Sequence, residues 1–243
     1  MQYGPKIVTN GLALSLDAAD RNSYSGSGTS WINLSGSGGN GTLTNGPTFN
    51  SSNGGTIIFD GTNDYVVTSN INLSNTNAVS VDLWVKILNY VEIAWNAEIL
   101  FELSNNFNGE ITGFMATFGD NSAGASNFPI GVFLKGDVGY NGSYFSRTLV
   151  NDLNWHHWCC VFDKTQTTQE TFLYIDGVSR TSIPSGLSSN NTNNFGNLPF
   201  YIGGRAASLN SNIQLSNIKI YNRALSASEI LQNFNTMRSR FNI

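Results

Sequence analysis

Three groups of side chains in this 243-residue chain are of types that do chemistry. The first is Glu98-Ile-Leu-Phe-Glu102, the nearest approach to a general acid and base pair. On a strand the two carboxylates face the same way about 13 Å apart, from ~3.3 Å per residue. Retaining glycoside hydrolysis needs a separation of about 5 Å, and inverting hydrolysis about 6.5–9.5 Å. The pair therefore reads as two strand residues. The second group holds the chain's only histidines, His156 and His157, and its only cysteines, Cys159 and Cys160. Consecutive strand residues point to opposite faces, so the histidines cannot chelate one metal and the cysteines are not expected to bond each other. His157 and Cys159 share a face, which suits a zinc half-site or a thiol nucleophile. With Trp155, Trp158, Val161 and Phe162 around them, they read instead as packed strand with two free, buried thiols, made in a reducing compartment.

The third group is FDGTNDYV, residues 59–66. Calcium takes six to eight oxygen ligands. Asp60, Asn63 and Asp64 offer three, and Asp17 is a fourth candidate from the first strand. Against this, Asp-Gly and Asn-Asp are turn formers, because these side chains bond their own backbone and tolerate positive φ. The first reading is a turn joining TIIFD and YVVT as hairpin arms, and the second is a calcium site.

These residues need elements to hold them. VSVDLWVKI (79–87) alternates fully: Val79, Val81, Leu83, Val85 and Ile87 on one face, Ser80, Asp82, Trp84 and Lys86 on the other. Further strands are read at LALSL (12–16), TIIFD (56–60), EILFELS (98–104), ITGFMATF (111–118), PIGVFLK (129–135) and SYFSRTLV (143–150). WHHWCCVFD (155–163) and TFLYIDG (171–177) read as neighbours across a polar turn, and YIGG (201–204) and IQLSNIKIY (213–221) follow. One helix starts at Ser226, where Ser226 and Glu229 have capping-box spacing and Ile230, Leu231, Phe234 and Met237 form an apolar face. Many short strands with frequent turn signals predict an all-β, two-sheet antiparallel sandwich or jelly roll with one short C-terminal helix.

Composition agrees and excludes several functions. Only 12% of residues are charged, about half the usual share. Polarity comes from Asn, present 34 times, with Ser, Thr and 25 Gly, a mix that favours turns and sheet surfaces over helices. A net charge of −4 with no basic cluster excludes a nucleic-acid footprint. No apolar run reaches membrane-spanning length, and MQYGPKIVTN lacks the apolar stretch of a signal peptide. A single domain is expected over 1–243, with a core at about 11–237 and a tail at 238–243.

The ordered set GLALSLDAAD (11–20), FDGTNDYV, NWHHWCCVFD (154–163), LYIDGV (173–178), IGG (202–204) and IYNRALSASEI (220–230) resembles the LamG-like, concanavalin A-like jelly roll over nearly the whole chain. It looks most like stand-alone versions in tailed-phage structural proteins, which close on QNFN…R.RF.I. Here that close is Gln232–Asn235, then Arg238, Arg240, Phe241 and Ile243. The resemblance implies carbohydrate binding, adhesion or virion structure. Relatives often carry an acidic pair before the last strand's V-x-I-Y. Ser216 and Asn217 stand there in this chain, which takes a carboxylate away from any calcium site. Glucanases of this fold resemble one another in E-x-D-x-E, whose central Asp is replaced by Leu100.

The functional expectation is a non-enzymatic virion protein: a capsid decoration, spike or fibre subunit, made in the host cytoplasm and homo-oligomeric. Arg238, Arg240, Phe241 and Ile243 dock either back on the sandwich near the N-terminal strand or on a neighbouring subunit. The alternative is a carbohydrate-binding module using Trp31, Trp84, Trp95 or Tyr140 as sugar platforms, and the remote alternative is a glucanase. No cofactor is expected apart from calcium at Asp60, Asn63 and Asp64. The turn reading predicts that EDTA leaves the melting temperature unchanged. A fall in melting temperature that Asp60→Ala removes would assign calcium to the loop.

Overall fold

The computed structural model describes residues 6–37, 39–89, 97–119, 130–183, 189–206 and 208–243. In chain order its strands are β1 (Leu12–Asp17), β2 (Ser30–Trp31), β3 (Gly41–Thr44), β4 (Thr48–Asn50), β5 (Thr56–Asp60), β6 (Tyr65–Thr68), β7 (Ile71–Asn72), β8 (Ala78–Ile87) and β9 (Glu98–Leu103). They continue as β10 (Phe114–Phe118), β11 (Ile130–Lys135), β12 (Tyr140–Phe145), β13 (Trp155–Asp163), β14 (Thr171–Ile175), β15 (Val178–Ser179), β16 (Asn197–Leu198), β17 (Phe200–Ile202) and β18 (Asn212–Tyr221). Helix α1 (Ala227–Met237) and a 3₁₀ turn (Arg238–Phe241) close the chain.

Two antiparallel sheets form the sandwich. One runs β15-β14-β13-β8-β18-β5-β4, with β1 also paired to β18; the other runs β12-β11-β10-β9-β17-β6-β3-β2. β1 and β5 share one edge of β18 end to end: Leu12–Asp17 pairs with Tyr221–Asn217, and Ile57–Asp60 with Leu215–Asn212. Ser216 lies at the break between them, where the register of β18 against β8 also slips. The expected all-β, two-sheet antiparallel architecture with a C-terminal helix is the one found.

The alternating valines of β8 do what their period demands. Val79, Val81, Leu83, Val85 and Ile87 are buried in one core with Leu14, Phe59, Phe101, Phe114, Phe162 and Ile218, drawn from both sheets. β13 and β14 form the expected antiparallel neighbours. Several boundaries move. SYFSRTLV is not one strand: β12 ends at Phe145, and a 3₁₀ turn takes Arg147–Leu149, capped by the Ser146 hydroxyl. ITGFMATF enters the sheet only at Phe114. TIIFD and YVVT are not hairpin arms, because β5 and β6 belong to different sheets and FDGTNDYV carries the chain from one to the other.

The outer face of the first sheet is not open to water. Its polar register, Asp82 on β8 flanked by Cys159 on β13 and Lys219 on β18, lies under α1. The helix begins with the expected capping box between Ser226 and Glu229. Its buried face is Ile230, Asn233 and Phe234, while Leu231 is exposed. The rotation has an electrostatic reason. Asp82 is 1% exposed and needs partners. It has His157 Nε2 at 2.8 Å, Lys219 Nζ at 3.4 Å and the Asn233 amide donating at 3.1 Å. Asn233 also accepts the Val8 N–H at 2.8 Å and donates to the Tyr221 hydroxyl, tying in the N-terminal segment. Burial alone would raise the Asp82 pKa, but the charges of His157 and Lys219 hold it well below the usual carboxylate range. Asn217, at the site of the missing acidic pair, accepts from Lys219 Nζ at 2.6 Å.

Asp82→Ala leaves Lys219 and His157 buried without their anion. The expected loss is about 3–5 kcal/mol of unfolding free energy, measured by urea denaturation at pH 7. Because the native carboxyl is held low, this contribution is complete above the ordinary carboxylate pKa and disappears only as the pH falls far below it.

Candidate functional site

The same outer face ends in a cleft of about 410 Å³, walled by β8, β13, two turns and the C-terminal segment. Trp155 and Lys86 are direct cross-strand partners on this face, at the ends of β13 and β8. Phe241 adjoins Trp155 in the lining. It stacks on Trp84 at 4.2 Å between ring centroids with planes 11° apart, and meets Trp155 at 4.8 Å. Phe234 stacks on Trp84 from the helix at 5.7 Å. Arg240 fixes this arrangement. It pairs with Asp17 at 3.1 Å, donates to the Gly55 carbonyl at 2.8 Å and donates to the Asn53 carbonyl, while Asn53 donates back to the Arg240 carbonyl.

The polar end of the cleft is built on two tight turns. Asp176 and Gly177 join β14 to β15 with φ of 54° and 76°, the pair of positive angles that a two-residue hairpin requires and that Asp-Gly accepts readily. Asp152 closes a turn on Asn154, whose backbone N–H it accepts at 3.0 Å. His156 bridges the two, with Nδ1 2.8 Å from Asp176 and Nε2 3.0 Å from Asp152. Carboxylates only accept, so both contacts are hydrogen bonds only when both ring nitrogens carry protons. Burial disfavours that cation, but hydrogen bonds to Asp176 and Asp152 and their charges outweigh it and raise the His156 pKa. Asp152 falls to about 2, as bonds from His156 and Asn154 overcome the opposing effect of burial. The cleft thus offers an aromatic wall, a free ammonium at Lys86, and carboxylate and amide groups held in place, a set suited to a small polyhydroxylated ligand.

The residues singled out in the sequence fall elsewhere or in other roles. Asp60, Asn63 and Asp64 close a turn: the Asp60 N–H donates to Asp64 Oδ2 at 3.2 Å, Thr62 N–H donates to Asp60 Oδ1 at 2.7 Å, and the Asn63 carbonyl accepts from Asn45. Asp17 does not join them; it is paired with Arg240. Among the described residues no three His, Cys, Asp or Glu side chains converge as metal ligands. His157 and Cys159 share their face as expected but lie fully buried beneath the helix, where His157 bonds Asp82 and burial keeps the Cys159 thiol protonated.

Leu100 and Phe101, though consecutive, both join the core. The register of β9 against β10 slips there, so Glu98 and Glu102 stand on either side of a break in the alternation. Glu102 is held by the Arg205 guanidinium at 2.6 and 2.9 Å. Burial pushes Glu98 up to about 7, opposed by the Asn212 N–H.

Of the aromatic candidates, Trp31 and Trp84 are completely buried, Tyr140 is half-buried against Phe107 and Phe133, and Trp95 lies outside the described residues. In the C-terminal tail, Arg240 and Phe241 dock back on the sandwich beside β1. Arg238 lies over the Phe234 ring at 5.8 Å, and Ile243 is exposed at the cleft. The reading of Trp155 as core needs correction, since it is half-buried in the cleft wall. Alternation could have found this, because Trp155 shares the face of His157 opposite Trp158. The parts played by Asp152, Asp176 and Lys86 had no local signal.

The His156 bridge has a pH signature. Its pKa is raised by folding, so the stabilisation is fully present below the unfolded value of about 6.5 and is lost as pH rises through the folded value. Unfolding free energy should therefore decline through neutral pH, and His156→Gln should flatten that slope. An NMR titration should place the His156 midpoint above the ordinary value of about 6.5, with Asp152→Asn and Asp176→Asn each lowering it.

Comparison with known proteins follows from this architecture. The receptor-binding domain of botulinum neurotoxin C/D mosaic serotype superposes with a TM-score of 0.68 at 14% identity, over 93% of this chain and 51% of that one. A structure of botulinum neurotoxin type C, whose cell entry depends on interaction with two ganglioside molecules, gives 0.69 at 14% identity, over 95% and 52%. The binding domain of botulinum neurotoxin DC in complex with rat synaptotagmin II gives 0.69 at 15%, over 95% and 52%. The chain spans about half the length of these domains, and at such identities they share its fold. No curated protein matches it by sequence. The model of one protein family, described as the concanavalin A-like lectin/glucanases superfamily, matches residues 60–231. With two sheets, a shared core and this match over most of its length, the chain belongs to the concanavalin A-like lectin/glucanases superfamily.

Proposed function

We propose that this chain is a non-catalytic, lectin-like domain that binds carbohydrate in the cleft beside Trp155. The observation that carries the reading is the pairing of that half-buried indole with hydrogen-bonding groups already held in place by His156. A sugar has apolar C–H faces and a rim of hydroxyls. An aromatic wall takes the first, and fixed carboxylates and amides take the second with little ordering cost on binding. The volume, about 410 Å³, suits one or two sugar rings by the usual size of small-ligand sites. The lectin side of the superfamily and the ganglioside dependence of botulinum neurotoxin type C lend support.

Catalysis is disfavoured by Glu102, which is clamped by Arg205, and by the break in strand alternation between Glu98 and Glu102. Display on a virion and self-association through the tail draw no support from these relatives, and Arg240 and Phe241 are bound within their own chain.

A glycan array followed by calorimetry tests the proposal. At least one sugar should bind, and Trp155→Ala should weaken it by at least about tenfold while far-ultraviolet circular dichroism stays unchanged. Laminarin and lichenan should remain intact on incubation. Turnover lost in Glu98→Gln or Glu102→Gln would overturn the non-catalytic reading.

A further inference from the structure

We infer that the cleft selects a sugar bearing a carboxylate, with its ring on Trp155 and its acid group on Lys86. The inference rests on the carbohydrate reading above and concerns which sugars that site takes. Its basis is how the charges are distributed within the cleft. Asp176 accepts from His156 and from the His157 N–H, and Asp152 accepts from His156 and Asn154. Both carboxylates are therefore already engaged. Lys86 lines the same cleft and is half-buried, yet among the described residues its ammonium makes no hydrogen bond and no carboxylate comes within 4.0 Å of it. A partly desolvated cation without a partner gains when a ligand supplies one.

Lys86 and Trp155 are opposed residues on neighbouring antiparallel strands, so their Cβ atoms are roughly 5 Å apart and both side chains leave the same face. A pyranose lying on the indole brings a ring substituent beside the ammonium. An amino sugar fits less well. Its cation would meet Lys86.

The test compares each acidic sugar with its uncharged counterpart: glucuronic acid against glucose, and sialyllactose against lactose, by calorimetry at pH 6.5. The acidic member should bind roughly tenfold tighter, the strength of one charge-assisted hydrogen bond. That advantage should shrink with added sodium chloride, vanish in Lys86→Gln and survive in Lys86→Arg. Equal binding of both members, or a preference unchanged in Lys86→Gln, overturns the inference and leaves the carbohydrate reading standing. If no sugar of either kind binds, both fall.

Discussion

A single buried carboxylate organises the outer half of this molecule. Asp82 points away from the sandwich core, from the middle of β8, into space that water does not reach. An isolated buried carboxylate is prohibitively costly. This one is made tolerable by His157 and Lys219 from the flanking strands and by Asn233 from the helix. Only the strand partners come with sheet formation. The last partner needs α1 in place, so the polar register of β18, β8 and β13 dictates where the helix lies and which of its faces turns inward.

The cleft follows from that placement. Once α1 is anchored by Asn233, Phe234 falls on Trp84, and the following 3₁₀ turn carries Phe241 onto the same indole and against Trp155. Arg240 then reaches Asp17 and the carbonyls around Gly55. One wall of the cleft is therefore the C-terminal segment, packed against the first strand. Of the apolar residues of the tail, Phe241 is used inside the molecule, while Ile243 stays exposed.

The two sheet faces also divide the chemistry. On the second sheet, the Arg205 guanidinium and the Ser104 hydroxyl hold Glu102, and a slip in strand register sets Glu98 out of step with it. On the first, His156 holds two carboxylates apart from a free lysine. The first arrangement holds its acids fixed. The second leaves the Lys86 ammonium facing a cavity.

Much of the frame was legible in residue order. The period-two run of Val79 to Ile87 could serve only as a strand buried on one face, Ser226 and Glu229 had to begin a helix, and WHHWCCVFD with TFLYIDG had to pair across their polar turn. These are local rules: a side chain's face follows from its parity, and a cap needs a partner three residues on. Local rules mistook FDGTNDYV for a hairpin, because a turn has the same composition whether it joins strands of one sheet or crosses between two. Aromatic character alone put Trp155 in the core, although its parity with His157 sets it on the outer face, because character does not reveal what covers a residue. The cleft itself depended on register and long-range docking. Lys86 meets Trp155 only through strand pairing, Asp152 meets Asp176 only through His156, and Phe241 arrives from the far end of the chain. Such juxtapositions are set by the burial of Asp82 and the packing of whole elements, energies that no short stretch of sequence contains.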